Sequence, residues 1–159
     1  MKIHGTFILH ILFKGDRDVL RILLKLLDAG SLVDSKNDQG LTPLLLTLKE
    51  RKVYSYRHSD EIFSKIVHCL IDHGADIHAR FPETQKSTLC HAIDCRDLET
   101  AKCLIKAGYN VNTREEDGDL PIFRCVPFGN KALNYILYAT KRRLSLYNDL
   151  SIKIYFSMK

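Results

Sequence analysis

Glycine and proline are scarce in this chain. Its 8 Gly and 4 Pro among 159 residues leave no material for a long flexible linker. Cysteine is present but not in a pattern that supports chemistry. Residues 69, 90, 95, 103 and 125 contain no CxxC pair, and an odd count argues against both a disulfide framework and a zinc ribbon. The reading that remains is five reduced thiols, as in a cytosolic or nuclear protein. No stretch approaches the roughly 18 uninterrupted apolar residues of a membrane span. The start, Met1 to Phe13, is faintly signal-like, but His4, Gly5, Thr6 and His10 break its apolar run and no small-x-small cleavage site follows. A soluble, unsecreted protein is expected. No Gly-rich phosphate loop exists, since Gly118 and Gly129 stand alone.

What is present fits one folded domain. Hydrophobic residues make up 45% and charged residues 27%, a globular balance. The net charge is +5, yet 19 acidic residues are mixed among 24 basic ones. No concentrated basic tract occurs before residue 140, so nucleic-acid binding is permitted but not suggested.

The main signal is internal repetition. Leu26-Leu27-Asp28-Ala29-Gly30, Leu70-Ile71-Asp72-His73-Gly74 and Leu104-Ile105-Lys106-Ala107-Gly108 end alike. Each Gly closes an apolar helix, where the chain must turn with positive φ. Short polar-apolar runs follow: Ser31 to Asp34, Ala75 to His78, Tyr109 to Asn112. Gly74 to Gly108 is 34 positions, and Gly30 to Gly74 is 44, a period lengthened by an insertion. Thr42-Pro43 and Leu120-Pro121 place Pro at a first helical position, and Thr42 or Ser87 can cap the helix it opens. Leu98, Ala101, Leu104 and Ile105 share one helical face, as do Ile62, Ile66 and Leu70. Each helix pair carries more apolar surface than it can cover alone, so neighbours must stack.

Gly40-Leu41-Thr42-Pro43-Leu44, His73-Gly74-Ala75-Asp76-Ile77-His78 and Ser87-Thr88-Leu89-Cys90-His91-Ala92 resemble the signatures of the ankyrin repeat family. The resemblance implies an all-α solenoid of stacked helix-turn-helix units with β-hairpin-like finger loops. It implies four units, at about 4–36, 37–80, 81–114 and 115–141, which together make the repeat domain 1–141. The first unit is loose, with Phe7 and Ile8 in place of Thr-Pro, as suits an N-terminal cap. The second holds the insertion, near 50–60, between its two helices. There Ser59-Asp60 reads as a helix start, and Tyr54, Tyr56, Arg57 and His58 form an aromatic-basic cluster. The fourth unit decays, with Lys141 where Gly should stand, and residues 142–159 form a tail that caps the stack or is disordered.

Candidate chemistry is thin. His91 and Cys95 are four apart with Asp94 nearby, but the helix is expected to end between them. His68, His73 and His78 are spaced by five and share no helical face. Cys69, Cys103 and Cys125 read as small packed hydrophobes. Arg142-Arg143-Leu144-Ser145 matches a kinase-substrate pattern short enough to arise by chance. No enzymatic activity, cofactor, metal or small-molecule substrate is expected.

By resemblance, ankyrin proteins bind other proteins through finger tips and the exposed positions of first helices. Carried onto this chain, those positions are Asp38, Gln39 and Leu41 in unit two, and Arg80, Phe81, Glu83 and Gln85 in unit three. Unit four offers Arg114, Glu116, Asp117 and Asp119, and the first-helix ends offer Lys49, Cys95 and Arg96. Phe81 replaces a usual Asp and is expected to expose its ring. The resemblance thus implies an adaptor or scaffold for a partner protein, cytoplasmic or also nuclear. Two alternatives stay open. A ubiquitin-ligase substrate receptor would need a SOCS box at Leu144 to Phe156, where no convincing Leu-Cys pair occurs. An inhibitor of Rel-type transcription factors is the other.

Overall fold

The computed structural model describes residues 18–54 and 60–124. Their helices are α1 (Val19–Asp28), α2 (Pro43–Tyr54), α3 (Asp60–Asp72), α4 (Thr88–Asp94), α5 (Leu98–Lys106) and α6 (Pro121–Arg124). No strand occurs among the described residues, where one antiparallel bridge, Arg80 to Ser87, is isolated. The described part is therefore all-α. Successive helices pair, α2 with α3 and α4 with α5. Contacts then run from α1 to α3 to α5 and from α2 to α4 to α6.

Helices α2, α4 and α5 begin where a side chain satisfies a free N–H group. Thr42 Oγ1 accepts from Leu45 N at 3.3 Å, ahead of Pro43, whose missing N–H costs nothing at that position. Ser87 Oγ accepts from Cys90 N at 3.1 Å, and Asp97 Oδ1 from Thr100 N at 3.0 Å. Each of these caps is worth about 1 kcal/mol. The helices also end alike. Gly30 N donates to Leu27 O and Ser31 N to Leu26 O, Gly74 N to Ile71 O and Ala75 N to Leu70 O, Gly108 N to Ile105 O and Tyr109 N to Leu104 O. The three glycines have φ of 81°, 85° and 100°. The shared ending in the sequence is thus a shared turn, with the paired bonds of a Schellman motif.

One core joins the helices. Val19, Leu23 and Leu27 of α1 are buried at four-residue spacing. In α2, Leu44, Leu45, Leu46 and Leu48 are all nearly inaccessible, so the first turns of this helix are covered on every side. Leu70, Leu89 and Leu104 carry the core onward at 0% exposure, each burial worth about 2 kcal/mol.

The expected insertion is placed differently from the sequence reading. Its first part is not a connection between helices, because α2 continues through 50–54, and α3 opens at Asp60 as Ser59-Asp60 predicts. α2 and α3 run to 12 and 13 residues against 7 and 9 in the next pair, so much of the lengthening is helix. Helix continuation satisfies its own backbone, which a projecting loop would leave to solvent. Residues 1–17, Tyr56, Arg57, His58, Cys125, the boundary at 141 and the tail 142–159 lie outside the described residues.

Candidate functional site

Three loops follow α1, α3 and α5, and each closes on a reversal tied by backbone bonds. In the first, Asn37 N donates to Leu41 O at 3.0 Å and Gly40 N to Asn37 O at 2.8 Å. The third repeats this, Glu115 N to Asp119 O at 2.9 Å and Gly118 N to Glu115 O at 3.0 Å. The middle loop spends one residue more. Phe81 N donates to Lys86 O at 3.0 Å and Gln85 N to Phe81 O at 2.8 Å. Gln85 takes the positive φ, 52°, that Gly40 and Gly118 take elsewhere (73° and 81°). That residue accounts for the step from Gly74 to Gly108.

The loops are braced against one another. Asp34 Oδ1 and Oδ2 accept from Asp76 N at 3.0 and 3.1 Å. The His78 ring stacks on Tyr109 with centroids 4.9 Å apart. Arg80 is the strongest brace, donating to Glu115 Oε2 at 3.1 Å, Gln85 O at 2.7 Å and Arg114 O at 3.2 Å. Glu115 is buried, and its Oε2 also accepts from Ser87 N at 3.0 Å. Burial pulls its carboxyl up, but bonds from Ser87 and Cys90 and the charge of Arg80 outweigh that and hold it below the usual value. A carboxylate inside the fold is tolerable only when paired this way. A second buried carboxylate, Asp97, lies 2.6 Å from an Arg51 guanidinium nitrogen and so ties α2 to the start of α5.

Against this frame the expected site residues divide. Asp38, Gln39, Glu83, Gln85, Arg96, Arg114, Glu116, Asp117 and Asp119 are exposed. Lys49 is half-buried and pairs with Glu83 across 3.4 Å. Arg80 is half-buried and occupied by its bracing bonds. Two expectations are corrected. Phe81 is not an exposed ring, because only 6% of it is accessible and it packs on His91 with centroids 4.3 Å apart. Leu41, 2% exposed, belongs to the core. Phe81 opens its reversal at the place Glu115 holds in the third loop, which is also buried, and there its ring is worth more packed on His91 than exposed. The braces Asp34, Glu115, Arg51 and Asp97 went unread in the sequence. For Glu115 the signal was there, since it stands three residues before Gly118 as Asn37 does before Gly40.

What the exposed loop residues can do is bind. Asp38, Glu83, Glu116, Asp117 and Asp119 present carboxylates, with Arg114 held by Gly118 O at 2.8 Å among them. Among the described residues no group of three or more His, Cys, Asp or Glu is placed to hold a metal ion. No helix among them is long and apolar enough to cross a membrane. The chain is similar to the nuclear factor NF-kappa-B p105 subunit of Gallus gallus. Identity is 25% over 138 residues, 86% of this chain but 13% of that protein, so the likeness spans a small part of it. No family model matches. The p105 subunit contains ankyrin repeats, the kind of unit that the repeated signatures of this chain resemble.

Proposed function

We propose that this chain is an ankyrin-repeat protein, without enzymatic activity, that holds a partner protein against its loop tips, the middle of α2 at Lys49 and the end of α4. The observation that carries the reading is the threefold turn at Gly30, Gly74 and Gly108, with one hydrogen-bond pattern at three successive positions. A unit repeated in this way presents loops at regular intervals, and rigid loops on a shared scaffold lose little entropy on binding. Braces such as Arg80 to Glu115 add that rigidity. The likeness to the p105 subunit supports the same reading. No disulfide joins the four described cysteines, which suits a cytoplasmic or nuclear location.

The binding residues in this proposal are Asp38, Gln39, Glu83, Gln85, Arg96, Arg114, Glu116, Asp117 and Asp119, with Lys49 beside Glu83. Phe81, Leu41 and Arg80 are no longer among them. The test is affinity purification with mass spectrometry. The intact chain is compared with a variant carrying Asp38→Ala, Glu83→Ala and Glu116→Ala, and with a control altered at Glu61 and Lys65 on α3. Partners should be lost about tenfold or more from the loop variant alone, the scale of one or two binding hot spots. Equal recovery from both variants would overturn the choice of surface.

A second reading is favoured by the p105 likeness, namely that the partner is a Rel-type transcription factor. A pull-down with a purified Rel dimer decides it, and no retention on the intact chain ends that reading. A SOCS box would fall in 144–156, outside the described residues.

A further inference from the structure

Four helices end on one kind of turn, and the residue at one of those turns breaks the rule of the other three. The ends of α1, α3 and α5 place Gly30, Gly74 and Gly108 at positive φ. The end of α4 makes the same pair of bonds, Arg96 N to Ile93 O and Asp97 N to Ala92 O, both at 2.8 Å. The residue in the glycine's place there is Arg96, with φ of 59°. A Cβ is crowded by the backbone in that region, and Asn or Asp can offset the crowding with a short local hydrogen bond. Arginine is too long for that bond. A glycine would close α4 with less strain, yet the side chain that stands there is exposed. Strain held at an exposed residue points to its side chain as the part that is used.

The charges around this turn say what it would be used for. Asp94 pairs with Lys86 Nζ at 2.7 Å, and Asp97, which also caps α5, pairs with Arg51 Nη1 at 2.6 Å. Glu99 pairs with Lys102 Nζ at 2.8 Å. With these carboxylates set against Lys86, Arg51, Lys102 and Arg96, positive charge is in excess. A cation also suits the carbonyl end of a helix, but that role would make the arginine stabilising and is separable by experiment.

We propose that Arg96 is a specificity-determining residue of the binding surface, taking the carboxylate of an Asp or Glu side chain on the partner protein. A guanidinium is a planar fork that meets a carboxylate with two parallel N–H bonds. The inference deepens the binding reading above and rests on it. The loop tips present carboxylates of their own, at Asp38, Glu83, Glu116, Asp117 and Asp119. An acidic segment set against them would be repelled, so the same group that fits the end of α4 fixes the direction in which the partner seats.

The experiment titrates the full chain with acetylated hexaglutamate, a stand-in for the acidic segment, and follows the Arg96 backbone and side-chain N–H signals by NMR. Those signals should shift on addition of the peptide. Arg96→Gln should weaken the binding about fivefold, the upper end for an exposed ion pair. Arg21→Gln on α1 removes the same charge from another exposed arginine, and screening should hold its effect below about 1.5-fold. Equal weakening by the two variants would overturn the proposal, because net charge alone would then be acting. So would hexalysine shifting the Arg96 signals in place of hexaglutamate. Thermal melts supply the second readout. Arg96→Gly should raise Tm by about 2 °C, whereas Arg96→Gln keeps the Cβ and should stay within about 1 °C of the parent. An Arg96→Gly chain that melts below the parent would overturn the proposal, since the arginine would then be holding the fold. Loss of partners from the loop variant, with Arg96 unshifted by hexaglutamate, would overturn this proposal alone. No partner on the intact chain would overturn the binding reading, and with it the partner assignment, whatever the titration gives.

Discussion

The loop 73–87 and its two neighbours, 29–42 and 107–120, reach the same end by different chemistry. The flanking loops reverse over a polar residue, Asn37 accepting from Gln39 N and Leu41 N or Glu115 accepting from Arg80 and Ser87, and a glycine with positive φ. The middle loop uses an aromatic residue facing inward, one residue more, and Gln85 where the others have glycine. The difference shows that the braced positions matter more than the residue types between them. A loop can lose its usual polar anchor if something else, here a ring against His91, fixes its base. Cross-strutting from Arg80 to Glu115 then holds the second loop to the third.

The largest test of this contrast is Phe81→Ala, which should cost about 3 kcal/mol in urea unfolding, the range for emptying a buried aromatic site. Phe81→Asn, which copies the first loop, should cost as much, because the pocket at His91 stays empty. A loss below 1 kcal/mol would mean that the ring does not anchor the loop.

Next is the strut. Glu115→Gln should cost about 2 kcal/mol at neutral pH, as breaking one side of a buried pair does when the other, Arg80, is part-exposed. The folded Glu115 carboxyl is held below its ordinary value, so its contribution is present above the unfolded value and is lost as pH falls through the folded one. The gap between parent and variant should therefore close below about pH 4. A gap that persists in acid would show that the side chain acts by shape rather than charge.

Smaller effects separate the glycines. A Cβ at Gly40 would meet Pro82 Cγ at 3.2 Å, whereas one at Gly118 meets nothing within 4 Å. Gly118→Ala should cost about 1 kcal/mol from φ alone, and Gly40→Ala about 1 more as Pro82 shifts. Equal costs would mean that the first and second loops do not press on each other. In the opposite direction, Gln85→Gly should stabilise the chain by about 0.5 kcal/mol, by relieving a left-handed residue that carries a Cβ.

The smallest concerns His73, which contacts Asp28 at 3.3 Å across α3 and α1. Its bond to Cys69 O, and then Asp28, raise its pKa above the ordinary value. The stabilisation is full below the unfolded value and lost as pH rises through the folded one. His73→Ala should therefore be felt at pH 5.5 and vanish by pH 8.5 in thermal melts. Solvent screening keeps the effect to about 0.5 kcal/mol or less.

How much of this was legible follows from what residues leave as a mark. The turns at Gly30, Gly74 and Gly108 were readable because positive φ selects glycine. The caps at Thr42 and Ser87 were readable because few side chains do that work. The turn at Gln85 was not, since glutamine marks nothing, and neither was the left-handed Arg96, with φ of 59°. The orientation of Phe81 was misread because the place it holds in the loop faces inward, as the buried Glu115 shows at the same place in the third loop. The extension of α2 was hidden by the assumption that extra length means loop. Of the candidate surface, the exposure of Asp38, Glu83, Glu116 and Asp119 was foreseen, while the struts beneath depend on residues 28 or more positions apart.

The glycines that end α1, α3 and α5 have open space beside them, since a Cβ there would touch nothing within 4 Å. Crowding is therefore not what excludes other residues; backbone handedness is. A D-alanine placed by chemical synthesis at Gly30, Gly74 or Gly108 would match the mirror-image torsion. It would also narrow the options of the unfolded chain, so these three turns are places where a stereocentre of the opposite hand could make the protein sturdier without touching its loops.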